Sequence, residues 1–278
     1  MTYPYAMALI TGASGGLGGA FARALPDGCG LLLTGRSEAE LLALQSDLKR
    51  PGRIVEIEPA DLSKSADRRR LIERAEALRI DLLVNNAANG RFGLFLDNDA
   101  QAEVAAVEVN CVAPVDLTRA LLPGMLSRAE TDLRRCGLLN VSSTTAFQPI
   151  PRFATYAATK SFLLAWTEAL AEELRGRPVD VLALCPGAVR TGFGSRAEVD
   201  LEALPGVRDA DPVAREALAA LGRRTVYVSD PAARVAVSPF LGTRRVVTAG
   251  AALVTGFLST RGREGGWVHR REHARDRH

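Results

Sequence analysis

The stretch "ATYAATK" (154–160) sets Tyr156 and Lys160 four residues apart, hence on one face of a helix. Only three of the chain's 35 basic side chains are lysines, Lys49, Lys64 and Lys160. A lysine one turn from one of four tyrosines therefore stands out in a sequence that writes its positive charge as arginine. An ammonium about 5–6 Å from a phenol, at an effective dielectric of about 20, is worth roughly 3 kcal/mol, or about two pKa units. Lysine alone would bring the tyrosine from about 10 to about 8, where a phenol gives or takes a proton at working pH. A compact ammonium with three donors also reaches two sugar hydroxyls, whereas a planar guanidinium needs a different space. The three histidines, His269, His273 and His278, all lie near the carboxyl end, which disfavours a serine hydrolase or a histidine-based dehydrogenase.

A second cluster, "TGASGGLG" (11–18), follows a short apolar run and leads into a helix beginning near Leu17. Gly12, Gly16 and Gly18 suit a backbone that turns sharply and approaches a pyrophosphate, with the helix amino end offering N–H groups to the charge. Ser14 and Leu17 belong to the same cradle. After the second apolar run, where a carboxylate would hold the ribose hydroxyls of NAD(H), the chain reads "TGRS". Arg36 can pair there with a 2′-phosphate of charge about −1.5 to −2. NADP(H) is the preferred cofactor on this ground, with NAD(H) left open.

These residues need a frame, and the sequence supplies one. Apolar runs at 6–10, 29–34, 53–58, 81–86, 136–142, 179–185 and 224–229 alternate with helical periods at 16–25, 37–49, 65–79, 97–128 and 154–176. That alternation predicts an α/β fold of the doubly wound, Rossmann type: about seven parallel strands with helices on both faces, and ligands at the strands' carboxyl ends. Residues 187–210 form the one long irregular segment, a candidate substrate loop. "DPVAREALAALG" (211–222) then opens a helix at an Asp-Pro pair.

No linker divides the frame, so a single domain over 1–258 is expected. The tail 259–278 carries six arginines against Glu264, Glu272 and Asp276 and is expected to be a disordered, solvated extension. It alone matches the net charge of +3. The balanced body excludes a nucleic-acid-binding face. The apolar run 246–258 is too short to span a bilayer and reads as a packed terminal helix, with an interfacial contact as the alternative. No signal peptide is visible at the amino end. Cys29, Cys111, Cys136 and Cys185 have no metal-ligand or disulfide spacing, so no metal is expected and a reducing cytoplasm fits.

With "TGASGGLG", "NNAA" (85–88), Asn110, "NVSS" (140–143), "YAATK" and "PGAVRT" (186–191) in this order and spacing, the sequence resembles the short-chain dehydrogenase/reductase family, in its single-domain branch. The resemblance covers most of the chain. It implies an NAD(P)-dependent oxidoreductase in which Tyr156 is the acid/base, Lys160 lowers its pKa and binds the nicotinamide ribose, and Ser143 holds the substrate oxygen. Asn110 would anchor a proton-relay water. Asp61 and Leu62 would lie beside the adenine, Asn86 and Ala87 along the cofactor, and Pro186, Gly187, Val189 and Thr191 at the nicotinamide amide. Relatives are commonly dimers or tetramers that pair the helices around 97–128 and 154–176. Two departures stand out: Ala88 replaces a common glycine, and Gly15 stands where some NADP-preferring relatives carry a basic residue. Phe92, Phe95, Phe147, Ile150, Phe153 and Phe193 predict an apolar pocket for a hydrophobic ketone, aldehyde or secondary alcohol. A dinucleotide-binding regulatory protein without turnover is the alternative.

Overall fold

The computed structural model describes residues 4–200, 206–238, 242–244, 246–248 and 251. Its contacts divide the chain into two units, Met1–Val237 and Ser238–His278, and every element named below belongs to the first. The expected domain boundary after residue 258, the charged tail and most of the 246–258 run lie outside the described residues.

Seven parallel strands form one sheet in the order β3-β2-β1-β4-β5-β6-β9. They are β1 (Met7–Thr11), β2 (Gly30–Thr34), β3 (Val55–Ile57), β4 (Leu82–Asn85), β5 (Cys136–Val141), β6 (Val179–Cys185) and β9 (Val226–Val228). Strands β1, β2, β5 and β6 are buried along their whole length, because a parallel sheet with both faces covered has no wet side. Alternate residues feed two cores. Ala8, Ile10, Leu31 and Leu33 pack with Phe21 of α1 (Gly16–Ala24), Leu41 of α2 (Glu38–Leu48) and Ala217 of α8 (Ala210–Ala220). Met7, Leu9, Leu32 and Leu83 pack on the other side with Leu71 of α3 (Ser65–Ala77) and Leu117 of α5 (Ala113–Thr131). The strand order reverses between β1 and β4, which opens the crevice where ligands bind in such sheets.

The expected helix 97–128 runs without a gap from 100 to 131, but it is not α-helical throughout. It is α4 (Ala100–Val107), a five-residue π segment (Glu108–Val112) and α5. Pro114 has no N–H to close an α-helical bond onto Asn110, and the coil widens so that the Ala113 N–H donates to Glu108 O, five residues back. The irregular segment also contains short structure: β7 (Val189–Arg190) pairs with β8 (Arg208–Asp209), and α7 (Phe193–Ala197) lies between them in sequence. Helix α8 starts at Ala210 with Asp209 as its N-cap, one turn-position ahead of the Asp-Pro pair.

Candidate active site

The carboxyl ends of β1, β2, β4, β5 and β6 converge on a cavity of about 1140 Å³. Its size is above the roughly 300–1,000 Å³ of ordinary small-molecule pockets. All the expected site residues line it except Gly18 and Asn110. Arg36, Asp61 and Leu62 mark one end; Ser143, Tyr156 and Lys160 mark the other.

The glycine loop fits a pyrophosphate. Gly12 (φ +64°) and Gly16 (φ +52°) hold left-handed backbone, and a Cβ on Gly18 would stand 2.2 Å from Gly12 O. Helix α1 has no side-chain cap and no acidic residue in its first turn, so its amino-terminal N–H groups are left for an anion. Asn86 pins the loop: its Nδ2 donates to Thr11 O at 2.9 Å and to Gly12 O at 3.3 Å. The Asn86 and Ala87 N–H groups both donate to Thr11 Oγ1. Asp61 Oδ1 accepts from the Ser63 N–H and hydroxyl. Ala88 needs no glycine, since neither it nor Asn89 holds a positive φ and Gly90 lies outside the left-handed region.

At the other end, β5 runs into Ser142 and Ser143, whose hydroxyls do different things. Ser142 Oγ donates to Lys160 O at 2.7 Å and locks α6 (Ala154–Glu173) to the strand. Ser143 Oγ accepts from the Thr145 N–H at 3.1 Å, and its hydroxyl is near enough to the Tyr156 phenol to draw that pKa down. The Tyr156 ring is stacked on Phe153 at 4.3 Å, with Phe193 at 5.1 Å. Lys160 is 1% exposed; its Nζ donates to Val141 O at 2.8 Å and lies 5.6 Å from the centroid of the Tyr156 ring. Two of its three donors make no hydrogen bond among the described residues and suit a pair of sugar hydroxyls.

The electrostatics differ from the expectation of a phenol near 8. Burial pushes Tyr156 up to about 12, with the Ser143 hydroxyl opposing, and burial pushes Lys160 down to about 8. A Coulomb estimate with lysine alone omits the desolvation of both groups, and here desolvation is the larger effect.

Asn110 is fully buried and sits behind the cavity wall. Its Oδ1 accepts from the Asn89 N–H at 2.9 Å, and its Nδ2 donates to Asn89 O at 2.8 Å and Thr159 Oγ1 at 2.9 Å. The carboxamide thus clamps the loop after β4 onto α6. That loop carries a residue whose importance the sequence does not announce. A Cβ on Gly90 would stand 2.7 Å from Tyr156 Cδ2 and 3.2 Å from Phe153 Cε2. Gly90→Ala is expected to displace the phenol and lower turnover about 10- to 100-fold with little change in cofactor affinity, measured by steady-state kinetics beside a binding titration.

Phe92, Ile150, Phe153 and Phe193 wall this end of the cavity, whereas Phe95 and Phe147 do not line it; Phe95 is exposed. Phe193 arrives on α7, which is tied to the β4–α4 loop by the Phe92 N–H to Ala197 O bond at 2.8 Å and an Arg91–Glu198 ion pair. Among the described residues there is no cluster of three or more metal-ligating side chains, and no helix is long and apolar enough to cross a membrane.

Residues 6–201 match the family model for short chain dehydrogenase. The chain is 34% identical over 200 residues to human dehydrogenase/reductase SDR family member 4, covering 70% of each chain. It is 31% identical over 228 residues to the ketoacyl reductase HetN of a Nostoc species, covering 79% of this chain and 76% of that one. Among solved structures, a short-chain dehydrogenase from Sphingobium yanoikuyae in complex with NADPH superposes with a TM-score of 0.78 at 30% identity, over 87% of this chain and 95% of the other. A bulky-bulky ketone specific alcohol dehydrogenase from Comamonas testosteroni superposes with a TM-score of 0.74 at 26% identity, over 89% and 95%. The doubly wound sheet, the cavity at its switch point and these matches agree: the chain belongs to the short-chain dehydrogenase/reductase family of oxidoreductases.

Proposed function

We propose that this chain is an NADP(H)-dependent oxidoreductase that interconverts a carbonyl and a hydroxyl group on a hydrophobic small molecule. The observation that carries the reading is one continuous cavity with a phosphate cradle and Arg36 at one end and Ser143, Tyr156 and Lys160 in an apolar wall at the other. Bound there, NADP(H) supplies or accepts the hydride. Gly12, Ser14, Gly16, Leu17 and Gly18 form its pyrophosphate cradle, Asp61 and Leu62 flank the adenine, and Lys160 binds the nicotinamide ribose. Asn86, Ala87, Pro186, Gly187, Val189 and Thr191 border the rest.

In reduction, the Tyr156 hydroxyl gives its proton to the carbonyl oxygen while the Ser143 hydroxyl donates a hydrogen bond to the same atom. The Lys160 charge stabilises the phenolate that remains. Oxidation runs the path backwards, with the phenolate taking the alcohol proton. A phenol held well above neutrality is a proton donor at pH 7, which suits reduction. Asn110 fixes the Asn89–Gly90 backbone against Tyr156 and holds the water that returns the proton. The aromatic wall of Phe92, Phe153 and Phe193 excludes water and selects an apolar substrate. The names of the ketoacyl reductase and of the bulky-ketone dehydrogenase support carbonyl chemistry of this kind.

The exposed apolar side chains of Val104, Val107, Val112 and Phe162 on α4, the π segment and α6 fit self-association into a homodimer or homotetramer. All four cysteines are free, in keeping with a reducing cytoplasm.

Fluorescence titration with NADPH and NADH tests the cofactor assignment. NADPH is expected to bind at least tenfold tighter, and Arg36→Met to remove most of the difference; tighter binding of NADH would refute the role given to Arg36.

A further inference from the structure

The Arg36 end of the cavity holds a second arginine. Arg196 lies on α7, the short helix that brings Phe193 against Tyr156, and it lines the cavity together with Arg36, Ser37 and Glu40. Arg53, Arg68, Arg135 and Arg208 are each held by a carboxylate. The Arg196 N–H donates to Gly192 O within α7, but the guanidiniums of Arg36 and Arg196 make no hydrogen bond or ion pair to a protein group among the described residues. The Arg196 side chain folds back over its own helix start, so that a Cβ on Gly192 would stand 2.8 Å from Nη1. In that pose burial and the charge of Arg36 both draw the Arg196 pKa down, with Glu40 opposing.

Two guanidiniums that repel one another, face one cavity and lack partners form a site for an anion of more than one charge. A phosphate monoester of about −1.5 to −2 has that charge, and a single arginine would leave part of it uncompensated. Hydroxyl donors stand beside them. Ser14 Oγ lies 2.8 Å from where a Gly35 Cβ would be, and Ser37 Oγ accepts from the Glu40 N–H at 3.3 Å, which leaves its proton free to donate.

We propose that Arg196 is a second specificity determinant for NADP(H), closing from α7 onto the 2′-phosphate that Arg36 meets from the end of β2. The inference rests on the NADP(H) reading above and extends it. Because α7 also carries Phe193, a 2′-phosphate held by Arg196 fixes the aromatic wall around the phenol. The phosphate group then links cofactor choice to closure of the substrate end.

Titration of the full-length protein with NADPH and with NADH separates the outcomes, using wild type, Arg196→Met, Arg196→Lys and Glu40→Gln. Arg196→Met is expected to weaken NADPH about tenfold and NADH less than twofold, with Arg196→Lys between wild type and Met. Glu40→Gln is expected to tighten NADPH a few-fold by removing the carboxylate whose charge acts on Arg196. Equal weakening of both nucleotides would overturn the proposal, since it would place Arg196 on the pyrophosphate or make it a support of α7. An unchanged NADPH affinity would overturn it too. A wild-type preference for NADH defeats the underlying NADP(H) reading, whereas a wild-type preference for NADPH that Arg196→Met leaves undiminished removes only the role of Arg196.

Discussion

Lys160→Met is expected to make the protein more stable and far less active. Burial lowers the lysine from 10.5 to about 8, so keeping it charged in the folded state costs about 3 kcal/mol. Methionine removes that cost and fills the same volume, while the bond to Val141 O is lost at about 1 kcal/mol. The net gain at pH 7 is about 2 kcal/mol, or several degrees in Tm. The sign of its pH dependence follows from the lowered pKa. The burial penalty is present in full below about 8 and is relieved as the pH rises from about 8 towards 10.5, where the unfolded chain also loses the proton. The stability advantage of Lys160→Met should therefore be largest at pH 7 and vanish near pH 10, as thermal unfolding across that range would reveal. Activity moves the other way. An ammonium 5.6 Å from the ring centroid at an effective dielectric of about 20 stabilises a phenolate by about 3 kcal/mol, so turnover should fall about 100-fold before any loss of ribose contacts is counted. Lys160→Arg keeps the charge and should still lose most activity, because a planar guanidinium does not fit the volume that Ser142, Val141 and the phenol leave. A Lys160→Met protein that is less stable at pH 7 would contradict the account of a buried, desolvated ammonium.

Tyr156→Phe is the second large effect. The ring keeps its stacking on Phe153 and its tilted contact with Phe193, so the wall of the cavity and the affinity for NADPH should stay within about threefold of wild type. What disappears is the proton donor. General acid catalysis contributes about 10²–10⁴-fold, and with the hydroxyl gone the Ser143 hydrogen bond to the substrate oxygen is all that polarises the carbonyl. Turnover is expected to fall at least about 10³-fold, read as kcat beside an unchanged nucleotide titration.

Much of this arrangement was legible in the residues. The strands announce themselves as short, mainly apolar runs because both faces of the sheet are covered, and β6 falls on its expected 179–185 to the residue. The Tyr156–Lys160 face and the glycine loop are equally local, one set by helix periodicity and the other by backbone freedom. Three features needed the third dimension. The widened π turn at Asn110 arises from Pro114 and from a carboxamide that grips Asn89, neither of which alters the apolar period of 97–128. Gly90 is required by the approach of a ring 66 positions away in the chain, not by its own dihedral angles. The pKa pair depends on burial, which a Coulomb estimate on a bare helix does not contain. Arg196 lies in a segment that reads as irregular, and only the return of α7 over the cavity brings it near Arg36.

The most direct test of the central claim follows NADPH absorbance when bulky apolar ketones and aldehydes are added to wild type and to Tyr156→Phe in parallel. Rapid, carbonyl-dependent consumption by wild type, at least about 10³-fold slower in the variant at equal NADPH occupancy, is the expected result. Equal rates in the two proteins, or turnover confined to small polar acids and sugars, would contradict it.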